Sequence, residues 1–184
     1  MTTTRCQTDS SVMNGLITRD GLITHADLHT PGTHVPDACI EIRGGRVAAV
    51  HGGHDSLPAL PILFDAAGRR ALPGFVDIHT HGGLGRDVCD GRPDALTTIA
   101  KAKIREGVTT FLPTTLTIDR DSLRGAVEMA APYMENPTFA KAPVLHIEGP
   151  YINRNCVGAQ NPEFVRPPDA EEVRELHGIA PIGI

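Results

Sequence analysis

The chain has 184 residues, is 40% hydrophobic and 21% charged, and carries a formal net charge of −5. That is the composition of a soluble globular protein with material for a core. It excludes a nucleic-acid footprint, since no basic stripe or Lys/Arg run appears. No apolar stretch approaches the roughly 20 residues of a membrane span, and the polar N-terminus lacks the apolar centre of a signal peptide.

Residues 1–11 read as a disordered N-terminus. Residues 12–72 have the texture of short strands and turns. Gly15-Leu-Ile-Thr18 and Gly21-Leu-Ile-Thr24 are brief β-prone runs. Ala38-Cys-Ile-Glu-Ile-Arg43 alternates and turns at Gly44-Gly45 into Arg46-Val-Ala-Ala-Val-His51, a strong hairpin signal. Pro61–Asp65 and Arg69–Leu72 complete a small β-sandwich-like domain, with 29–36 and 51–61 read as loops. His25, His29, His34, His51 and His54 share no periodicity and read as structural or solvent-exposed. Cys6, Cys39, Cys89 and Cys156 form no C-x-x-C pattern, so they read as reduced thiols of a cytoplasmic protein.

From residue 73 to 184 helix and strand alternate. Phe75–Ile78, between Pro73-Gly74 and Gly82-Gly83, reads as a buried strand. Pro93–Glu106 has helical spacing and closes at Gly107. Val108–Leu112 is a β-branched strand stopped by Pro113. Asp119 to about Met134 is a helix with Asp119 or Asp121 as its N-cap. Pro143–Glu148 is a third strand stopped by Gly149-Pro150, and Asp169–His177 is a third helix with acidic residues in its first turn. Repeats of this length predict parallel strands with right-handed crossovers. The fold class is α/β: the β-sandwich-like domain, then the first (β/α)3 part of a TIM-type barrel. A closed barrel takes about 250 residues and about 110 follow Pro73, so the expectation is a truncated barrel domain.

Active sites of parallel barrels collect at the C-terminal ends of strands. The first strand ends in His79-Thr-His81, whose imidazoles share a face because strand side chains alternate. Two surface histidines in a loop would give the same spacing. Glu148 lies at the exit of the third strand, on the same rim. Two imidazoles and a carboxylate suit Zn²⁺ or a similar divalent ion, which would make a coordinated water acidic. His146 points into the barrel rather than at a metal. Asp77 either orients a ligand or fills the interior. The threonines of 109–117 either line the rim or simply follow β-propensity. Cys156 reads as an ordinary thiol, and Gly82-Gly83-Leu84-Gly85 lacks the spacing of a phosphate loop.

Leu72-Pro-Gly-Phe-Val-Asp-Ile-His-Thr-His-Gly-Gly83 resembles the opening of the amidohydrolase superfamily. Glu106-Gly-Val-Thr-Thr-Phe-Leu-Pro-Thr114, Leu145-His-Ile-Glu-Gly-Pro-Tyr-Ile-Asn153 and Val157-Gly-Ala-Gln-Asn-Pro-Glu-Phe164 narrow this to the N-acetylglucosamine-6-phosphate deacetylase family. The resemblance runs from about Met13 to about Leu176. It implies hydrolysis of the N-acetyl group of N-acetylglucosamine 6-phosphate to glucosamine 6-phosphate and acetate. Glu148 would be a metal ligand, His79 and His81 a second metal position, and Ala159-Gln160 the loop dipeptide that touches the amino-sugar phosphate. One or two divalent ions, zinc foremost, and a homodimeric full-length enzyme are implied as well. The proton-shuttling aspartate, two later metal histidines and the phosphate-holding residues would lie beyond Ile184. The segment 178–184 departs from the family pattern, where a longer helix and a strand are expected. The resulting expectation is a chain inactive alone. The alternatives are another amidohydrolase (a galactosamine-6-phosphate deacetylase, dihydroorotase or N-acyl amino acid deacylase) and a non-catalytic remnant. Glu148-Gly-Pro in place of a bridging lysine argues against the last two enzymes.

Overall fold

Two short turns set the geometry of the first part of the chain. Pro31-Gly32 joins β1 (Gly21–Thr30) to β2 (Thr33–Arg43) with Thr30 opposite Thr33, and Gly32 sits at φ +81°, where a side chain would be strained. Gly44-Gly45 joins β2 to β3 (Arg46–His51). The computed structural model describes residues 19–184, so the expectations for 1–11 and for the run 15–18 lie outside the described residues. β4 (Ile62–Asp65) and β5 (Arg70–Ala71) both pair with β1 in parallel, giving a five-stranded mixed sheet of order β3-β2-β1-β4 with β5 on β1. Ala26, Leu28, Ala38, Ile40 and Ala66 form its core. The stretch 29–36 is therefore not a loop. Two ladder-forming ends separated by two turn residues close a hairpin instead.

The chain divides into two compact units at Pro73/Gly74. In the second, β6 (Phe75–Thr80), β9 (Val108–Thr115), β10 (Leu145–Ile147) and β11 (Ile182–Gly183) form a parallel sheet in the order β11-β10-β9-β6. A minute hairpin, β7 (Gly82–Gly83) with β8 (Arg86–Asp87), follows β6. The crossovers carry α1 (Ala95–Arg105), α2 (Arg120–Glu135) and α3 (Ala170–Ile179). Neighbours in sequence are neighbours in space, as in a singly wound barrel wall, so all four strands end on the same rim. Phe111, Ile99, Leu123, Val127, Leu145 and Ile147 fill the core between helices and sheet.

Three local readings change. β9 runs through Pro113 to Thr115, because Pro113 lies opposite Thr80 where the β6 register is irregular and a missing donor is tolerated. The segment 178–184 is not a departure from the repeat: its Ile182-Gly183 pairs with Leu145 and His146 as a fourth parallel strand. β6 is not buried. It is the edge strand, with Phe75, Val76 and Ile78 each at least 62% exposed, since among the described residues no strand pairs beyond it. Among the described residues no helix is long and apolar enough to cross a membrane.

Asp119 caps α2, accepting a hydrogen bond from the Ser122 backbone N–H at 2.9 Å. Asp119→Ala is expected to cost about 1 kcal/mol, read as a lower urea midpoint with unchanged slope.

Candidate metal centre

Each donor on the rim is placed by the strand that precedes it. His79 lies in the last turn of the β6 pleat and His81 one residue beyond it, while Glu148 follows β10 directly. β9 runs between them and carries Thr114 at the matching level. His79 Nε2 is 3.2 Å from His81 Nε2, and Glu148 Oε2 is 3.4 Å from the first and 3.1 Å from the second.

The tautomer of His81 follows from its other nitrogen. Nδ1 lies 3.0 Å from the Thr114 carbonyl oxygen, so Nδ1–H donates there and the neutral ring presents a lone pair at Nε2. Glu148 Oε2 is buried and, among the described residues, accepts no hydrogen bond. An imidazole lone pair and an unsatisfied carboxylate oxygen, with a second imidazole nitrogen beside both, thus converge on one point. Acceptors crowded in this way repel unless a cation lies among them, and a buried unpartnered acceptor is costly. The donor set fits a divalent ion of the zinc class.

Thr114 is the residue that the sequence left undecided. It is fully buried: its hydroxyl accepts from the Thr80 backbone N–H at 3.2 Å and donates to the Leu112 carbonyl at 3.1 Å, while its carbonyl holds His81. β-propensity masked this role, because a β-branched residue in a strand needs no further explanation. Thr114→Val keeps the shape and removes the hydroxyl. We expect a loss of about 1–2 kcal/mol from the stranded Thr80 N–H, checked by denaturant unfolding.

Of its two readings, the contacts of Asp77 favour the one in which it orients His79. Its carboxylate accepts from the His79 backbone N–H at 3.1 Å and pairs with Lys103 of α1 at 3.1 Å. Burial pushes its carboxyl up, but the His79 N–H and the Lys103 ammonium outweigh that and hold it below the usual range. The His146 ring meets that of His79 edge-on, with centroids 5.3 Å apart, and is outside the converging donor set.

Gln160 is tied to the segment just after β9 rather than free: its Oε1 accepts from the Thr117 backbone N–H at 2.6 Å. Ala159 beside it is exposed. Gly149 packs against the same segment so closely that a Cβ would lie 1.9 Å from Thr117 Oγ1. Cys39, Cys89 and Cys156 are free thiols, Cys6 lying outside the described residues. Burial pushes the Cys89 thiol up to about 11, which leaves it inert as a nucleophile.

No family model matches the chain. It is 30% identical over 154 residues to the N-acetylglucosamine-6-phosphate deacetylase of Bacillus subtilis, an alignment covering 82% of this chain and 39% of the relative. It is 36% identical over 145 residues to the N-acetylgalactosamine-6-phosphate deacetylase of Escherichia coli O157:H7, covering 78% and 37%. Among solved structures it superposes on a variant of the Mycobacterium smegmatis N-acetyl-D-glucosamine-6-phosphate deacetylase bound to N-acetyl-D-glucosamine-6-phosphate. There the TM-score is 0.67 and the identity 26%, over 88% of this chain and 42% of that one. The Pasteurella multocida N-acetylglucosamine-6-phosphate deacetylase shares the fold at a TM-score of 0.75. The chain spans about two fifths of the length of these relatives.

Proposed function

We propose, from the premise that this chain is a partial-length homologue of the N-acetylhexosamine-6-phosphate deacetylases, that it supplies part of the site of such a hydrolase. The reaction is hydrolysis of the N-acetyl group of N-acetylglucosamine 6-phosphate to glucosamine 6-phosphate and acetate. The observation that carries this is the convergence of His79, His81 and the orphaned Glu148 oxygen on one rim. The enzyme is a cytoplasmic hydrolase of amino-sugar catabolism, homodimeric at full length, and its working ion is zinc.

His79, His81 and Glu148 would hold the ion, with the pair of histidines giving capacity for a second position. What a divalent ion supplies there is Lewis acidity, which polarises a carbonyl and makes a coordinated water acidic. The chain's own groups do the positioning. The Thr114 carbonyl keeps the His81 lone pair aimed at the rim, and Asp77 fixes the backbone of His79 from behind. Gln160 and Ala159 present the loop against which the sugar rests, and the bond from the Thr117 N–H holds that loop to the segment just after β9.

A second reading is favoured by the 36% identity to the galactosamine-specific relative: the preferred sugar is the 4-epimer. Both readings share the rim chemistry and differ in the hydroxyl recognised. The test is release of acetate from the two hexosamine phosphates by a polypeptide containing this stretch within a complete barrel. A kcat/KM at least about tenfold higher for one epimer, a difference of about 1.4 kcal/mol, decides between them. Hydrolysis of neither sinks the deacetylase reading.

A further inference from the structure

We propose that Asp27, His29 and His34 form a further divalent-metal site, of the zinc, nickel and copper class, at the tip of the β1–β2 hairpin. It is built wholly within the first unit and rests on none of the rim donors. His29 and His34 are direct cross-strand partners, one ladder position from the two-residue turn. Directly opposed side chains project from the same face, and Asp27, two residues before His29, joins them there. The imidazoles stack with centroids 4.2 Å apart and planes 14° from parallel, which sets their Nε2 atoms side by side. Both face one carboxylate: His29 Nε2 is 2.9 Å from Asp27 Oδ2 and His34 Nε2 is 2.6 Å from Oδ1. One donor atom from each residue lies within 4.8 Å of the others.

In the metal-free hairpin each ring donates Nε2–H to the carboxylate. When an ion enters, each neutral ring moves its proton to Nδ1, and both Nε2 lone pairs with a carboxylate oxygen take the ion. No net proton is lost, and the carboxylate charge offsets half of the ion's. Nitrogen donors select the later first-row ions over calcium and magnesium. The preorganisation is what distinguishes this cluster from scattered surface histidines: the ladder register and the strained-for-others φ of Gly32 hold the three donors before an ion arrives. The side chains are between 32% and 53% exposed, so water completes the coordination shell and ions exchange freely.

The experiment uses an untagged 184-residue chain carrying His79→Ala and His81→Ala, which removes the rim imidazoles. Zn²⁺ is titrated calorimetrically, with Co²⁺ absorption as a second readout. One equivalent is expected to bind, with His34→Gln or Asp27→Asn weakening it about tenfold or more and His54→Gln leaving it unchanged. Circular dichroism confirms that each variant keeps its sheet. A Kd weaker than about 1 mM in the His79→Ala, His81→Ala chain overturns the proposal. So does binding that survives His29→Gln and His34→Gln together.

Discussion

Glu148→Gln is expected to remove most of the stabilisation that Zn²⁺ gives through the rim donors and, on the proposed function, to lower deacetylation by a complete barrel containing this stretch about a thousandfold. The substitution preserves volume and changes only charge and donor pattern. In the metal-free state its effect has the opposite sign. Glu148 Oε2 is a buried acceptor without a hydrogen-bond donor, 3.1–3.4 Å from two imidazole nitrogens. An amide N–H in its place can donate to a ring lone pair, so the metal-free variant unfolds at a temperature equal to or above that of the parent. Adding Zn²⁺ reverses the order. An ion at a hundred times its dissociation constant adds about 2.7 kcal/mol to the parent, while the variant, its affinity down about a hundredfold, gains little. Thermal unfolding with and without Zn²⁺ reads both signs, in a background carrying His29→Gln and His34→Gln so that the hairpin does not contribute. An equal metal-induced shift in parent and variant would remove Glu148 from the site.

Arg166→Met is expected to cost about 3 kcal/mol, the low end for a buried ion pair broken from one side, because the guanidinium is itself about a quarter exposed. Glu172, on α3, is 2% exposed. Its carboxylate takes two bonds from the Arg166 guanidinium, one of them from Nε at 3.1 Å, and a third from the Tyr151 hydroxyl at 2.8 Å. Arg166 also donates to the Ile118 and Phe164 carbonyls at 3.0 and 3.3 Å. One residue therefore clamps the loop between Pro150 and Asp169, which includes Ala159 and Gln160, onto α3 and the segment between β9 and α2. Burial pushes the Glu172 carboxyl up, but the Arg166 and Tyr151 bonds outweigh it and hold it below its ordinary 4.5. The sign of the pH dependence follows. The folded state binds this proton less readily than the unfolded chain, so the stabilisation is complete above the ordinary carboxylate range. It is lost as the pH falls through the folded value, which lies under 4.5. The parent should lose stability across that acid window, and Arg166→Met should lose less of it, because the variant has less to lose. Arg166→Met with Glu172→Leu should recover part of the loss, since an apolar pair needs no compensation. Denaturant unfolding from pH 7 down to pH 3 checks this. Parallel curves for parent and Arg166→Met would show that the pair does not carry the effect.

The sequence alone determined the parts of this protein whose physics is local. Period-two alternation around Gly44-Gly45 was enough for the hairpin, and helical spacing ended by Gly107 was enough for α1, because each signal is complete within a dozen residues. That His79, His81 and Glu148 share one rim was also legible, since strands joined by crossover helices must all run the same way and end on one rim. What only the tertiary structure decided depends on which strands become neighbours. β6 reads as buried because Phe75, Val76 and Ile78 are apolar, yet its place at the sheet edge exposes them. Pro113 reads as a stop, yet an irregular register opposite Thr80 lets β9 continue. Thr114 holds His81 through its backbone carbonyl, a contact that no side-chain pattern encodes. His29 and His34 looked like unrelated surface residues until a two-residue turn set them face to face. A turn that short is visible in Pro31-Gly32, but the ladder register it imposes is a property of the paired strands, and no single strand's sequence contains it.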